Sequence, residues 1–179
     1  MVVTLPAYDR LRHTFLSFLR VERRYVARMT GPDLTPVECR VLEAIDEGAL
    51  VADLVHLVRV PSVTGSAAEA DLQHQHGARL AELGFDVDLW DFDLEALTAH
   101  PDFPGTEAPR TQGHGLAATL GPWGSPALVL QGHVDVVPTG DVDKWDGGDP
   151  WSGAITGTTL RGRGACDMKA GVAVNFAVA

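Results

Sequence analysis

Two segments in the last third of the chain carry side chains of the types that bind metal ions in proteins. An apolar run at 127–130 leads into His133 and Asp135, and Asp167 follows a Gly-Arg-Gly sequence at 162–164. Alternate residues of an extended strand point the same way, so His133 and Asp135 should lie together at the strand's carboxyl end. Open α/β sheets hold their ligands at that edge. Because imidazole and carboxylate groups are zinc ligands, the pattern predicts half of a metal site.

Each of these residues also has a simpler interpretation. His133 could be a buried histidine satisfied by backbone at a strand end, and Asp135 could be an ordinary surface acid. Asp167 is equally suited to capping the helix that follows it, since aspartate favours the N-cap position. Lys169 fits a structural ion pair or a place near the site, and we assign it no catalytic role. The choice between these readings depends on whether the side chains converge.

Cys166 stands beside the strongest candidate ligand and invites a thiolate mechanism with His133 as base. Such a mechanism needs a lowered thiol pKa and a third group that orients the base, and the sequence indicates neither. Neighbouring residues of an extended turn face opposite ways, so Cys166 and Asp167 should not share one site. We therefore place the chemistry on Asp167.

Taken in order, the motifs of this chain resemble a family of metal-dependent peptidases and deacylases. That family includes acetylornithine deacetylase, succinyl-diaminopimelate desuccinylase, aminoacylase and glutamate carboxypeptidase. The resemblance runs from about residue 50 to residue 179. It is carried by Pro-Ser-Val-Thr-Gly at 61–65, Gly-His-Val-Asp-Val-Val-Pro at 132–138, Trp145 with Asp149-Pro150-Trp151, and Gly-Arg-Gly-Ala-Cys-Asp-Met-Lys at 162–169.

The resemblance implies a role for each candidate residue. His133 would bind one zinc ion, Asp167 would bridge two, and Asp135 would be the catalytic-site acid that orients the histidine ring. Co²⁺ and Mn²⁺ are the alternative metals. Two-metal hydrolases hold their ions about 3.5–4 Å apart, a distance that the two oxygens of one carboxylate span. The resemblance also implies a cis peptide bond between Asp167 and Met168.

The resemblance further implies an α/β fold, a zinc-exopeptidase-like sandwich with a mixed sheet that is truncated at its C-terminal end. Family members complete the site with a Glu-Glu pair, another acid and a distant histidine, none of which we locate here. We therefore expect this chain to be the N-terminal part of a longer enzyme, lacking the general base and inactive alone. The family's dimerisation domain would follow residue 179, so the full-length parent would be a homodimer.

The implied activity is a two-metal amidohydrolase that cleaves an amide bond of an N-acyl amino acid or a similar small substrate. Two alternatives stay open at this point. The first is a metallo di- or carboxypeptidase of the same family. The second is a non-catalytic binding module that keeps the fold. Retention of His133, Asp135 and Asp167 together disfavours the binding module, which has no need of all three.

Composition limits the classes of partner. The 179 residues carry a net charge of −10, which argues against nucleic acid because phosphate binding needs a basic face. No apolar run reaches the roughly 20 residues that span a bilayer, so we expect no membrane partner. Two cysteines in unrelated segments, Cys39 and Cys166, fit a reducing cytoplasm better than a disulfide framework.

Charge also divides the chain into two regions. Residues 1–30 contain six arginines and two acids and show helical amphipathic spacing. We assign residues 1–34 to an N-terminal extension and residues 35–179 to the N-terminal part of the catalytic domain. The extension has three readings: an additional packing helix, an unstructured tail, or translated upstream sequence with the true start at Met29.

Turn and cap signals predict the elements of the second region. A helix begins near Thr35 with an interruption at Gly48, and a second runs from Ser66 to Gly84. An outer strand follows at 85–89, and residues 91–114 are predicted to form a long connection without regular structure. Segments 116–120 and 127–131 then flank a Gly/Pro turn and predict paired strands. A hairpin around Gly157 leads to the Gly-Arg-Gly turn and an apolar C-terminal helix.

Overall fold

A computed structural model of the chain describes the backbone of residues 2–5, together with residues 40, 42–106, 108–122, 126 and 128–179. The amphipathic helix predicted within residues 1–30 and the helix start predicted at Thr35 lie outside the described residues. The domain boundary at residue 34 stays a prediction, although residues 2–5 of the assigned extension form a strand of the main sheet. The strands are β1 Val2–Leu5, β2 Asp86–Asp91, β3 His114–Thr119, β4 Leu128–Gln131, β5 Ala154–Thr156 and β6 Thr159–Arg161. The main α-helices are α1 Glu47–Arg59, α2 Ala67–Glu82, α3 Leu94–Ala99 and α4 Ala170–Val178.

Strands β1 to β4 form one mixed sheet in the order β2-β3-β1-β4. Strand β1 pairs in parallel with β3 and antiparallel with β4, while β2 pairs antiparallel with β3 at the edge. The α/β class, the mixed sheet and the outer position of β2 are therefore confirmed. The prediction that β3 and β4 pair with each other is wrong, because β1 lies between them. A pairing that spans more than a hundred residues leaves no local signal in the sequence.

Helix α1 begins at Glu47, one residue before the predicted interruption at Gly48. The side chain of Asp46 accepts a hydrogen bond from the backbone N–H of Ala49 at 3.0 Å, so Asp46 is the N-cap. Gly48 then falls in the first turn rather than at a break. The interruption predicted at Gly48 lies instead at residues 45–46, where a capping aspartate satisfies the first free N–H groups.

Helix α2 follows its sequence signals closely. Ser66 Oγ accepts from the backbone N–H of Glu69 at 3.2 Å, and Gly84 just past the helix has a φ of 88°. The long connection predicted at residues 91–114, in contrast, contains helix α3. Its N-cap is Asp93, whose carboxylate accepts from the N–H of Ala96 at 2.9 Å. A short capped helix satisfies backbone groups that an extended loop would leave to water.

The core lies between the sheet and helices α1, α2 and α4. Helix α2 packs on β2 and β3, and α4 packs on α1 and on β4. Val58 and Leu80 contribute from the helices and Ala118 from the sheet, all with 0% exposure. Val172 of α4 is also 0% exposed. This apolar helix is held by α1 and by β4. Its anchoring fixes the turn that immediately precedes it.

His76 places a titratable ring in this core. It is 5% exposed and lies edge-on to Phe176 with ring centroids 4.9 Å apart. Burial, with a smaller contribution from Arg79, lowers the pKa of His76 from 6.5 to about 4. Between these values the unfolded chain binds a proton that the folded chain does not, so stability should fall as the pH falls.

We predict that His76 lowers the free energy of unfolding by about 3 kcal/mol as the pH falls from 6.5 to 4. Urea unfolding of the native protein and of His76→Gln at steps across this range measures the difference. The variant should show a shallower loss, while the same change at exposed His100 should not alter the slope. Parallel pH profiles for the native protein and His76→Gln would contradict the assignment.

Candidate metal centre

The segment that follows β4 places its side chains on two faces. Val134 and Val136 are 2% and 3% exposed and point into the core. His133 and Asp135 therefore share the opposite face, with side chains 47% and 31% exposed. This alternation confirms that the two polar side chains lie together past the end of the strand. Apolar burial of the intervening valines fixes which face the polar pair occupies.

Backbone pairing holds this segment to the connection between α1 and α2. Val63 and Val136 form an isolated parallel bridge. The N–H of Val136 donates to the carbonyl of Ser62 at 2.9 Å, and the N–H of Thr64 donates to the carbonyl of Val136 at 3.0 Å. The Pro-Ser-Val-Thr sequence at 61–64 is thus joined directly to the His-Val-Asp sequence. Its residues are part of the support of the site.

A sharp turn brings the third side chain to the same place. Residues Ala165–Lys169 form a kinked turn after Gly164, whose φ of 79° lies in the left-handed region. A Cβ atom on Gly164 would lie 2.4 Å from Cγ1 of Val136. The absence of a side chain at Gly164 therefore lets the turn pack against the segment that carries His133. The Asp167–Met168 peptide bond within the turn is cis, as the resemblance implied.

The side chain of Lys169 anchors the other end of this turn. It is 1% exposed, and its Nζ donates to the carbonyls of Leu57 and Val60, each at 2.8 Å. These carbonyls belong to the C-terminal end of α1, where the helix dipole favours a cation. The sequence reading of Lys169 as a structural residue is correct, although its partners are backbone carbonyls rather than an acid.

The three candidate side chains converge. His133 Nε2 lies 3.1 Å from Asp167 Oδ1. On the other side of the ring, Nδ1 lies 3.0 Å from the carbonyl oxygen of Asp135 and 3.2 Å from its carboxylate Oδ1. The ring is therefore held between two acids that come from different segments. Asp135 faces one nitrogen and leaves the other to Asp167.

The simpler readings of these residues fit less well. In the described chain, the N-terminus of α4 has no side-chain cap, so Asp167 does not serve as one. His133 is half-exposed rather than buried, and although Nδ1 contacts the backbone carbonyl of Asp135, Nε2 faces a carboxylate. Cys166 is an exposed free thiol, and the ring nitrogens of His133 face Asp135 and Asp167 instead. The arrangement favours a ligand pair over a cap or a thiolate site.

The donor pair fits a divalent metal ion. Two ligands of one tetrahedral zinc, each at about 2.0–2.2 Å, lie about 3.4 Å apart, close to the observed 3.1 Å. The carboxylate of Asp167 is 90% exposed, which leaves it accessible to an incoming ion. Among the described residues no group of three or more histidine, cysteine or acidic side chains could hold a metal ion. This part of the chain thus offers two ligands.

Sequence reasoning missed two supporting residues. Thr64 Oγ1 donates to Asp135 Oδ2 at 2.7 Å, and the buried Ser62 Oγ donates to the carbonyl of Val134 at 2.7 Å. Both belong to a motif that carries the resemblance, but its spacing gives no sign of what the hydroxyls contact. Their partners lie about 70 residues away in the chain.

Fold and site together define a mixed α/β protein with a histidine-carboxylate pair at the edge of its sheet. Residues 129–179, which include the whole pair, match the model of peptidase family M20/M25/M40. The family predicted from the motifs is therefore confirmed for the segment that carries His133, Asp135 and Asp167. Among the described residues, no helix is both long enough and apolar enough to cross a bilayer.

Curated relatives extend the match beyond this segment. The chain is 40% identical over 121 residues to the succinyl-diaminopimelate desuccinylase of Methylorubrum populi, an alignment that covers 68% of this chain and 27% of the relative. For the enzyme of the same name from Stenotrophomonas maltophilia, the identity is 40% over 131 residues, covering 72% and 28%. The Ehrlichia canis enzyme of that name is 51% identical over 63 residues, covering 35% and 16%. The chain spans little more than a quarter of the length of the first two relatives.

The packing at Gly164 generates a prediction with a matched control. Gly164 and Gly157 both have positive φ, 79° and 61°, but in the described structure nothing lies within 4 Å of a Cβ added at Gly157. Gly157→Ala should cost about 1–2 kcal/mol from the left-handed backbone alone. Gly164→Ala should cost about 1–3 kcal/mol more because its methyl group meets Val136. Urea unfolding of both variants measures the difference, and equal losses would show that the contact is not tight.

Proposed function

We propose that the protein containing this chain is a metal-dependent amidohydrolase that removes the acyl group from an N-acyl amino acid. The observation that carries the proposal is the 3.1 Å approach of His133 Nε2 to Asp167 Oδ1, with Asp135 behind the ring. A histidine oriented by an acid and paired with a second carboxylate is a metal-ligand arrangement. The match of this same segment to a metallopeptidase family supports the assignment.

Each residue has a distinct part in the proposed chemistry. His133 presents Nε2 as a neutral ligand, and Asp135 accepts a hydrogen bond from Nδ1–H and so keeps the lone pair on Nε2. Asp167 offers two carboxylate oxygens on the open side of the site, enough to bridge two ions. When bound, the metal pair supplies Lewis-acid polarisation of the amide carbonyl and a lowered pKa for the attacking water. Zn²⁺ suits this donor set, and Co²⁺ or Mn²⁺ would substitute for it.

The substrate class comes from the relatives. Their names describe removal of succinate from succinyl-diaminopimelate, which is cleavage of an amide between a small acid and an amino group. We propose a substrate of the same chemical class for the present protein. The remaining ligands and the general base would then come from outside the present 179 residues, in a zinc-exopeptidase-like sandwich. A homodimeric parent, implied by the family, and a cytoplasmic location, suggested by the exposed free thiol of Cys166, belong to the same proposal.

The experiment is hydrolysis of N-succinyl and N-acetyl amino acids by the product of the complete reading frame, loaded with Zn²⁺. His133→Ala and Asp167→Asn should each lower kcat/KM by roughly a hundredfold or more. The reason is that a lost ligand removes several kcal/mol of transition-state stabilisation, and each 1.36 kcal/mol is a factor of ten. Asp143→Asn, an exposed acid in the loop between the two segments, is the matched control and should keep full activity.

Other outcomes separate the alternatives. Cleavage of dipeptides in preference to N-acyl amino acids would make the protein a metallo di- or carboxypeptidase of the same family. Absence of both activities and of bound metal would make it a binding module. The isolated 179-residue chain should bind metal weakly and hydrolyse neither substrate class. Enzyme-like turnover by that chain, abolished by a chelator, would overturn the account of where the base resides.

A further inference from the structure

We propose that Thr64 is a positioning residue for the metal site, acting on His133 through Asp135. The inference rests on the proposed function and extends it to a segment that carries no ligand. Its basis is a chain of contacts from the hydroxyl of Thr64 through both carboxylate oxygens of Asp135 to the ring of His133.

The first contact is short and directed at a charged group. Thr64 Oγ1 lies 2.7 Å from Asp135 Oδ2 and 3.3 Å from the carbonyl oxygen of Val136. A hydroxyl has one proton, and a carboxylate is the stronger acceptor at the shorter distance. The hydroxyl of Thr64 therefore donates its hydrogen bond to Asp135 and fixes one of the two carboxylate oxygens.

Thr64 is itself held rigidly. Its backbone N–H donates to the carbonyl of Val136, and the preceding residue, Val63, bridges to Val136. Two residues earlier, Ser62 is 0% exposed and bonds to the carbonyl of Val134. A β-branched side chain has few χ1 choices on a fixed backbone, so the position of the hydroxyl follows from the pairing. Thr64 is a fixed donor rather than a mobile one.

The consequence falls on the second oxygen of Asp135. Nδ1 of His133 faces two oxygens of Asp135, the backbone carbonyl at 3.0 Å and the carboxylate Oδ1 at 3.2 Å. With Oδ2 bound by Thr64, the carboxylate keeps Oδ1 on this side of the ring. The Asp135 side chain is 31% exposed, so without the hydroxyl its carboxylate would be free to turn towards water. His133 is 47% exposed, so the carboxylate adds to the hold that the Asp135 carbonyl has on Nδ1 and helps to keep Nε2 directed at Asp167. Outer residues of this kind typically change metal affinity by about 10–100-fold when removed.

Three variants test the proposal. Thr64→Val removes the hydroxyl and keeps the shape, whereas Thr64→Ser restores the hydroxyl. Thr98→Val is the matched control, because it makes the same change at an exposed threonine of α3 whose hydroxyl donates only to the backbone carbonyls of Leu94 and Glu95. The first readout is the pair of ring ¹⁵N chemical shifts of His133 in the metal-free chain at fixed pH. The second is the Zn²⁺ affinity of the complete protein, measured by competition with a chromophoric chelator.

Thr64→Val should move the His133 shifts and weaken Zn²⁺ binding about tenfold, at the lower end of the range for outer residues. Thr64→Ser and Thr98→Val should stay within twofold of the native affinity. In an Asp135→Ala background, Thr64→Val should have no further effect, because its route to His133 is already lost. Equal effects of Thr64→Val with and without Asp135 would show a general structural role and overturn the inference.

Failure of the inference and failure of the proposed function give different results. Shifts of His133 that respond to Thr64→Val in a protein that binds no Zn²⁺ would leave the positioning role intact and remove the proposed function. Tight Zn²⁺ binding that Thr64→Val leaves unchanged, together with unmoved His133 shifts, would remove the positioning role alone.

Discussion

The contact between Gly164 and Val136 holds the two site-bearing segments together. Val136 is fixed by burial in the core and by its backbone pairing with residues 62–64. Gly164 offers a surface without a side chain, on which even one methyl group would lie 2.4 Å from Val136 Cγ1. Asp167 lies three residues after Gly164, and His133 lies three residues before Val136. The close approach of Gly164 to Val136 therefore brings Asp167 near His133. The site is therefore a consequence of how closely a turn and a strand end pack.

The buried ammonium of Lys169 secures the same turn from the opposite side. Burying a charge is unfavourable, and burial lowers the pKa of Lys169 to about 8. Two carbonyls at the end of α1 offset this cost, and the ring of Trp151 lies 5.7 Å from the Nζ atom. Because the turn is held between Val136 and α1, the carboxylate of Asp167 can be 90% exposed and still have a defined position.

The sequence predicted correctly those elements that depend on contacts within a few residues of the chain. The Ser66 cap, the Gly84 stop and the hairpin at Gly157 all follow from hydrogen bonds or dihedral angles within a few residues. The grouping of His133 with Asp135 also follows locally, from the two-residue period of an extended chain. Asp93 carried a similar signal for α3 within a segment rich in proline and glycine, where the turn residues obscured it.

What sequence could not supply depends on contacts between distant residues. The insertion of β1 between β3 and β4 and the bond from Thr64 to Asp135 both join segments that are about 70 or more residues apart. The resemblance to the family supplied part of this information, because it implied that Asp167 and His133 belong to one site. It named no partner for Thr64, Ser62 or Lys169, because a motif records which residues occur and not which atoms touch.

The central claim is that His133 and Asp167 bind one metal ion between them. Anomalous X-ray diffraction from crystals of the protein soaked in Zn²⁺ tests this most directly, with data collected on both sides of the zinc absorption edge. The account predicts an anomalous peak about 2.0–2.2 Å from both His133 Nε2 and an oxygen of Asp167. A peak bound elsewhere, or bound to one of the two residues with the other turned away, would contradict it.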